Sequence, residues 1–156
     1  MRRRRKRKKS ENKKVRGAQK QVYRGIKFQS RLELFTYKEL KKAGIEFQYE
    51  KHRFELQEKF TYDGECIEKR KKKGKMIFEP LSKNIRAITY LPDFVNLKDR
   101  WIIEVKGLRT QSFDLRWKLF KKYLAKNGLN YDLYLPGNQS QVIESILNIK
   151  LKTKKK

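Results

Sequence analysis

Regular apolar spacing begins only after about residue 20; residues 1–20 contain a single strong hydrophobe, Val15. Ser30 opens a predicted helix on which Leu32, Phe35, Leu40 and Ala43 fall at broadly helical spacing, with Gly44 as the stop. Alternation then takes over. Ile45, Phe47 and Tyr49, then Phe54 and Leu56, predict one long or bulged strand over 45–57. Phe60 and Tyr62 are expected to pair with Met76–Phe78 as a hairpin, with KRKKKGK at 69–75 as its basic tip. A second strand is predicted over 86–95, with Pro92 restricting it to an edge or a bend. A third, 101–106, alternates cleanly: Trp101, Ile103 and Val105 on one face, Ile102, Glu104 and Lys106 on the other.

Phe113, Trp117, Phe120 and Leu124 form the stripe of a helix over 112–126, which Asn127-Gly128 ends. YDLYL at 131–135 reads as a fourth strand, and 139–149 as a final short helix carrying Val142, Ile146 and Ile149. The strand–helix–strand passage over 101–135 implies a parallel crossover, normally right-handed. The expected class is therefore α/β: a mixed sheet in the order helix, three strands, helix, strand, followed by a C-terminal helix. The expected organisation is a disordered basic arm at 1–20, one domain at 21–149 and a basic tail at 150–156.

Charge changes the picture most. The 156 residues carry a formal net charge of +26, and RRRRKRKK at 2–9 is an unbroken basic run that disfavours compact structure. A polyanion is the natural partner, and nucleic acid leads because Lys and Arg neutralise its phosphates and release counterions. The basic N-terminus lacks the apolar face that membrane binding needs, and no apolar run approaches a span. Cys66 stands alone, which excludes an internal disulfide and a cysteine zinc site. No secretory signal is visible, so a reducing, cytoplasmic setting is expected.

Candidate chemistry centres on Asp93, Glu104 and Lys106. Glu104 and Lys106 are two apart on a strand and leave the same face. If strands 86–95 and 101–106 pair as a hairpin, Asp93 comes beside Glu104. Two carboxylates held together repel unless a cation lies between them. Mg²⁺, which prefers oxygen ligands, suits them, and a neighbouring lysine could orient or activate water. Glu-x-Lys also occurs at 11–13 and 39–41, so only the apolar strand, Gly107 and the single Pro-Asp of the chain set Glu104–Lys106 apart. The plain alternative is a surface ion pair with Asp93 as a turn residue. Glu33 fits a capping box, Ser30-Arg31-Leu32-Glu33. Glu50 could approach from the first strand. His52 reads as a surface residue, and Trp117 and Phe120 as core. Arg2, Arg3, Arg4, Arg5, Arg109, Lys118, Lys121 and Lys122 are the candidate phosphate contacts.

LPDF followed by WIIEVKG resembles the signature of the PD-(D/E)XK nuclease superfamily. FQSRLELFTYKELKKAGIEFQYE resembles the helix–strand opening of the phage T7 endonuclease I family of four-way-junction resolvases. FQSRLE, RFELQEKF, RAITYLPDF, EVKG and LRWKLFKKYL together resemble more closely a phage family defined only as a domain of unknown function within that superfamily. The likeness covers roughly residues 27–135 and departs in the Lys-rich stretch around 64–86. It implies a restriction-endonuclease-like core and a Mg²⁺- or Mn²⁺-dependent DNA endonuclease. It also implies Asp93, Glu104, the Val105 carbonyl and Glu33 as metal ligands, with Lys106 acting on water. Branched DNA such as a Holliday junction, action as a homodimer and, for a phage protein, the host cytoplasm are further implications. The rival class is a non-catalytic basic nucleic-acid-binding protein, which the charge alone supports equally and which gives Asp93 no special role.

Overall fold

A computed structural model describes residues 20–72, 74–80 and 84–153, with 68–72 and 75–80 as backbone. The predicted phosphate contacts Arg2, Arg3, Arg4 and Arg5 lie outside these residues. The chain runs β1 (Gln21–Tyr23), β2 (Ile26–Phe28), α1 (Arg31–Lys42), β3 (Gln48–Tyr49), β4 (Phe54–Gln57), β5 (Phe60–Thr61), β6 (Ile67–Lys72), β7 (Lys75–Pro80), β8 (Asn84–Ile85), β9 (Ile88–Tyr90), β10 (Phe94–Asn96), β11 (Trp101–Ile103), α2 (Gln111–Lys126), β12 (Asp132–Tyr134) and α3 (Gln139–Thr153).

The class is mixed α/β, as the apolar pattern predicts. A four-stranded sheet in the order β12-β11-β10-β3 forms the frame. β10 pairs antiparallel with both β3 and β11, while β11 and β12 run parallel across the α2 crossover. Both faces of β11 are covered, so its residues divide between two cores. Trp101, Ile103 and Val105 pack with Leu40 of α1 and Val142, Ile146 and Ile149 of α3. Ile102 packs with Phe54, Tyr90 and the α2 stripe of Phe113, Trp117, Phe120 and Leu124. Each such fully buried large side chain contributes about 1.5–3 kcal/mol of transfer free energy. The sheet thus lies between α1 with α3 on one side and α2 on the other.

Several expectations are corrected. The single strand over 45–57 is two: β3 joins the central sheet and β4 pairs with β9. The break falls at Glu50, whose φ is +45°. The strand over 86–95 is likewise split into β9 and β10 around Leu91-Pro92-Asp93, because proline supplies no amide to a ladder. Phe60–Thr61 pairs with Asn84–Ile85, not with 76–78. Residues 75–80 pair instead with Ile67–Lys72, so most of the basic stretch forms strand, and Gly74 at φ +83° turns the tip. The β1–β2 hairpin was not foreseen; its Arg24-Gly25 turn has positive φ at both residues, the primed geometry that suits right-twisted strands. α3 continues through 150–153, into the expected tail. Lys150 and Lys152 suit the negative end of the helix dipole, and Lys152 Nζ reaches Asp132 Oδ1 at 2.7 Å. No helix among the described residues is long and apolar enough to cross a membrane.

Candidate metal centre and adjoining cleft

Four carboxylates are delivered by four different elements. Glu33 lies in the first turn of α1, where the Ser30 hydroxyl accepts from its backbone amide at 3.1 Å. Its own carboxylate is held by three donors: Ser30 Oγ on Oε1, and the Gln29 amide and Tyr49 hydroxyl on Oε2, each at 2.9 Å. This departs from the usual capping box, since the backbone donor is Gln29, one residue before the cap. Glu50 follows β3 directly, and its amide donates to the Asp93 carbonyl at 2.9 Å. That bond extends the β3–β10 ladder by one step, so Glu50 is locked beside Asp93 despite a left-handed φ that costs a non-glycine residue about 1–3 kcal/mol. Asp93 sits where Pro92 releases the chain from β9 into β10, and its Oδ2 accepts from the Val105 amide at 2.7 Å. Val105 therefore enters the site through its N–H. Phe94 faces Ile103 in the β10–β11 register, so the next step places Glu104 across from Asp93.

Glu33, Glu50 and Asp93 each present a carboxylate oxygen within 4.8 Å of the others, and this trio could hold a metal ion. The trio keeps Asp93 and Glu33 of the expected ligands and brings in Glu50. Glu104 stands beside the trio rather than within it. Glu104 shares the strand parity of Ile102, on the α2 side of the sheet, whereas Glu33 belongs to α1 on the opposite side. Asp93, just before β10, feels the charge of both Glu104 and Glu33, and Glu33 raises Glu104 as well.

The electrostatics are those of crowded, dehydrated acids. Burial pushes the Asp93 carboxyl well above the usual carboxylate range, and Glu104, Glu33 and Glu50 raise it further against the opposing Val105 amide. Glu104 is pushed up to about 7 by burial, although the Tyr90 hydroxyl and the Lys106 ammonium pull the other way. Glu50 is raised by burial and by Glu33. Tyr49 is raised by burial and then by Glu33, which keeps its hydroxyl a donor. Among the described residues, Glu104 Oε2 is buried with no hydrogen-bond partner, and the neighbouring Tyr90 hydroxyl, though close enough to influence Glu104, completes no hydrogen bond either. A buried carboxylate oxygen without a donor is costly, and a cation is one group that would satisfy it. An all-oxygen donor set suits a hard divalent cation.

Glu104 and Lys106 also line a cleft of about 520 Å³ between the β9 segment and the start of α2. Lys106 Nζ lies 4.9 Å from the centre of the Phe113 ring, which holds the ammonium at the cleft wall. Arg53 and Arg116 line the same cleft. The predicted phosphate contacts among the described residues are elsewhere. Arg109 is paired with Asp114 through Nη2 at 2.6 Å and Nε at 2.8 Å. Lys118, Lys121 and Lys122 are exposed on α2 and line no part of this cleft. At about 100° per residue, Lys118 and Lys121 lie roughly 200° and 140° around the helix from Arg116. His52 rests edge-on against Phe54, with ring centres 4.6 Å apart, and Cys66 is exposed. Glu50 carried one usable sequence signal, its place at the end of an alternating run; Arg53 and Arg116 carried none beyond their charge.

A family model described as protein of unknown function (DUF1064) matches residues 12–134. No curated protein and no solved structure matches the chain.

Proposed function

The chain belongs to the DUF1064 family, and for this member we propose a metal-dependent endonuclease of the restriction-endonuclease-like kind that hydrolyses DNA phosphodiesters. The observation that carries the reading is the convergence of Glu33, Glu50 and Asp93 within 4.8 Å, with Glu104 alongside and Lys106 facing the same cleft. Mg²⁺ or Mn²⁺ is the proposed cation, and when bound it would supply Lewis-acid stabilisation of charge on a phosphoryl oxygen. Asp93, Glu50 and Glu33 would hold it, with Glu104 completing the site from the strand opposite. The Tyr49 hydroxyl and the Ser30 cap orient Glu33, and the Val105 amide orients Asp93, so the ligands are positioned in advance. Lys106, half-buried beside Glu104, would orient the attacking water and hold a proton near the scissile phosphate. Branched DNA is the proposed preferred substrate, and a homodimer the proposed acting form, since a four-way junction presents two symmetric strands.

A net charge of +26 favours, as a second reading, a basic protein that binds nucleic acid without cutting it. Incubating purified protein with a labelled four-way junction, a linear duplex and a single strand, in Mg²⁺, Mn²⁺ or EDTA, separates the two. The nuclease reading predicts cleavage that EDTA abolishes, fastest on the junction. Retarded but intact DNA under every condition would leave only the binding protein.

A further inference from the structure

We propose that the cleft beside the carboxylates seats the phosphodiester backbone of a nucleic-acid strand, gripped by Arg53 and Arg116. The two arginines come from separate elements, the segment before β4 and the second turn of α2, yet both line the cleft that Glu104 and Lys106 border. Neither has a carboxylate partner among the described residues. Arg53 Nη1 donates to Thr89 Oγ1 at 3.1 Å, which fixes the guanidinium while leaving its other donors for a ligand. Arg109, a few residues before α2, shows the contrasting case, with its guanidinium already neutralised by Asp114. Two uncompensated guanidiniums facing one polar cleft form an anion site, and the planar fork of donors matches phosphate oxygens. Glu104 is the carboxylate that lines this cleft, so a diester seated on the arginines would share it with Glu104. A chain carrying +26 favours a polymeric anion over a single small one.

The choice of nucleic acid rests on the nuclease reading, so binding is measured apart from turnover. A labelled DNA duplex is titrated in EDTA across a salt series with wild type, Arg53→Ala/Arg116→Ala and Lys118→Ala/Lys121→Ala. The last pair removes the same charge from the other flank of α2. Each lost phosphate contact lowers the slope of log K against log salt by about 0.9, so the cleft pair is expected to lower it by about 1.8. The flank pair should change it by less than half as much. Comparing slopes cancels the shared contribution of the basic run at 2–9. All four positions are exposed, and thermal unfolding verifies that each variant folds. Equal slope losses for the two pairs, or none for the cleft pair, would overturn the assignment. Metal-dependent cleavage by wild type together with an unchanged slope in the cleft pair would sink the cleft and leave the nuclease standing. A lost slope with no cleavage of any DNA would uphold the cleft and remove the nuclease.

Discussion

Replacing Glu104 with Gln should make the stability of the metal-free protein much less sensitive to pH. The ordinary glutamate value is 4.5, and burial pushes the folded Glu104 carboxyl up to about 7. Between those values the folded protein holds a proton that the unfolded chain has released, so stability falls as pH rises. The contribution is fully present below about 4.5 and is lost as pH passes through about 7. A gap of about 2.5 pH units corresponds to about 3 kcal/mol at 1.36 kcal/mol per unit. Glu104 is only 8% exposed, so solvent screening takes little from this figure. Asp93 and Glu50 are raised as well, and their titration adds in the same direction. For a chain of this size about 3 kcal/mol is roughly 6–12 °C in Tm. Thermal unfolding in EDTA at pH 5 and pH 8, followed by circular dichroism, reads the effect. Over that range Glu104 accounts for about 2.5 kcal/mol of the loss, so Glu104→Gln should lose about 5–10 °C less than wild type, the Asp93 and Glu50 contributions remaining in both. An amide left without partners would cost the variant the same at both pH values, so the difference between them is unaffected. A variant that loses as much Tm as wild type over this range would refute the electrostatic account of Glu104.

Two further substitutions separate holding the cation from using it. Tyr49→Phe removes the hydroxyl that donates to Glu33 Oε2, and such supporting contacts are worth about 10–100-fold in metal affinity; Mn²⁺ titration followed calorimetrically reads it, and wild-type affinity would show that Glu33 is oriented without Tyr49. Lys106→Met should leave Mn²⁺ affinity near wild type while slowing cleavage about 10²–10⁴-fold, the usual range for losing a positioned proton-handling group. Equal loss of metal affinity and rate in that variant would place Lys106 in the cation site rather than on the water.

What was legible from sequence followed local, periodic signals. α1 and α2 were readable from their apolar stripes, and α1 also from its Ser30 cap; the Thr110 hydroxyl that caps α2 starts that helix one residue before the expected 112. The parallel β11–β12 pair followed from the length of the intervening helix. Strand boundaries were less visible, because alternation continues through places where the backbone breaks. Pro92 signalled one break; no residue preference marked the other at Glu50, where φ is +45° and the amide donates to the Asp93 carbonyl. The same bond places Glu50 beside Asp93, so the long-strand reading and the underrating of Glu50 share one cause. Asp93 was distinguished by its Pro-Asp context, and the structure gives that context a physical content: proline ends one strand pairing and leaves the next residue where two layers meet. The cleft arginines were illegible because a position just before β4 and one on α2, 63 residues apart, converge only in three dimensions, among 43 lysines and arginines of similar appearance.

The central claim, that a cation held at Asp93 drives phosphodiester hydrolysis, is tested most directly by following a labelled four-way junction in Mg²⁺ with wild type and Asp93→Asn, with binding measured in parallel. The account predicts that wild type yields resolved products while Asp93→Asn binds the junction and leaves it intact. Cleavage by Asp93→Asn at the wild-type rate would contradict it.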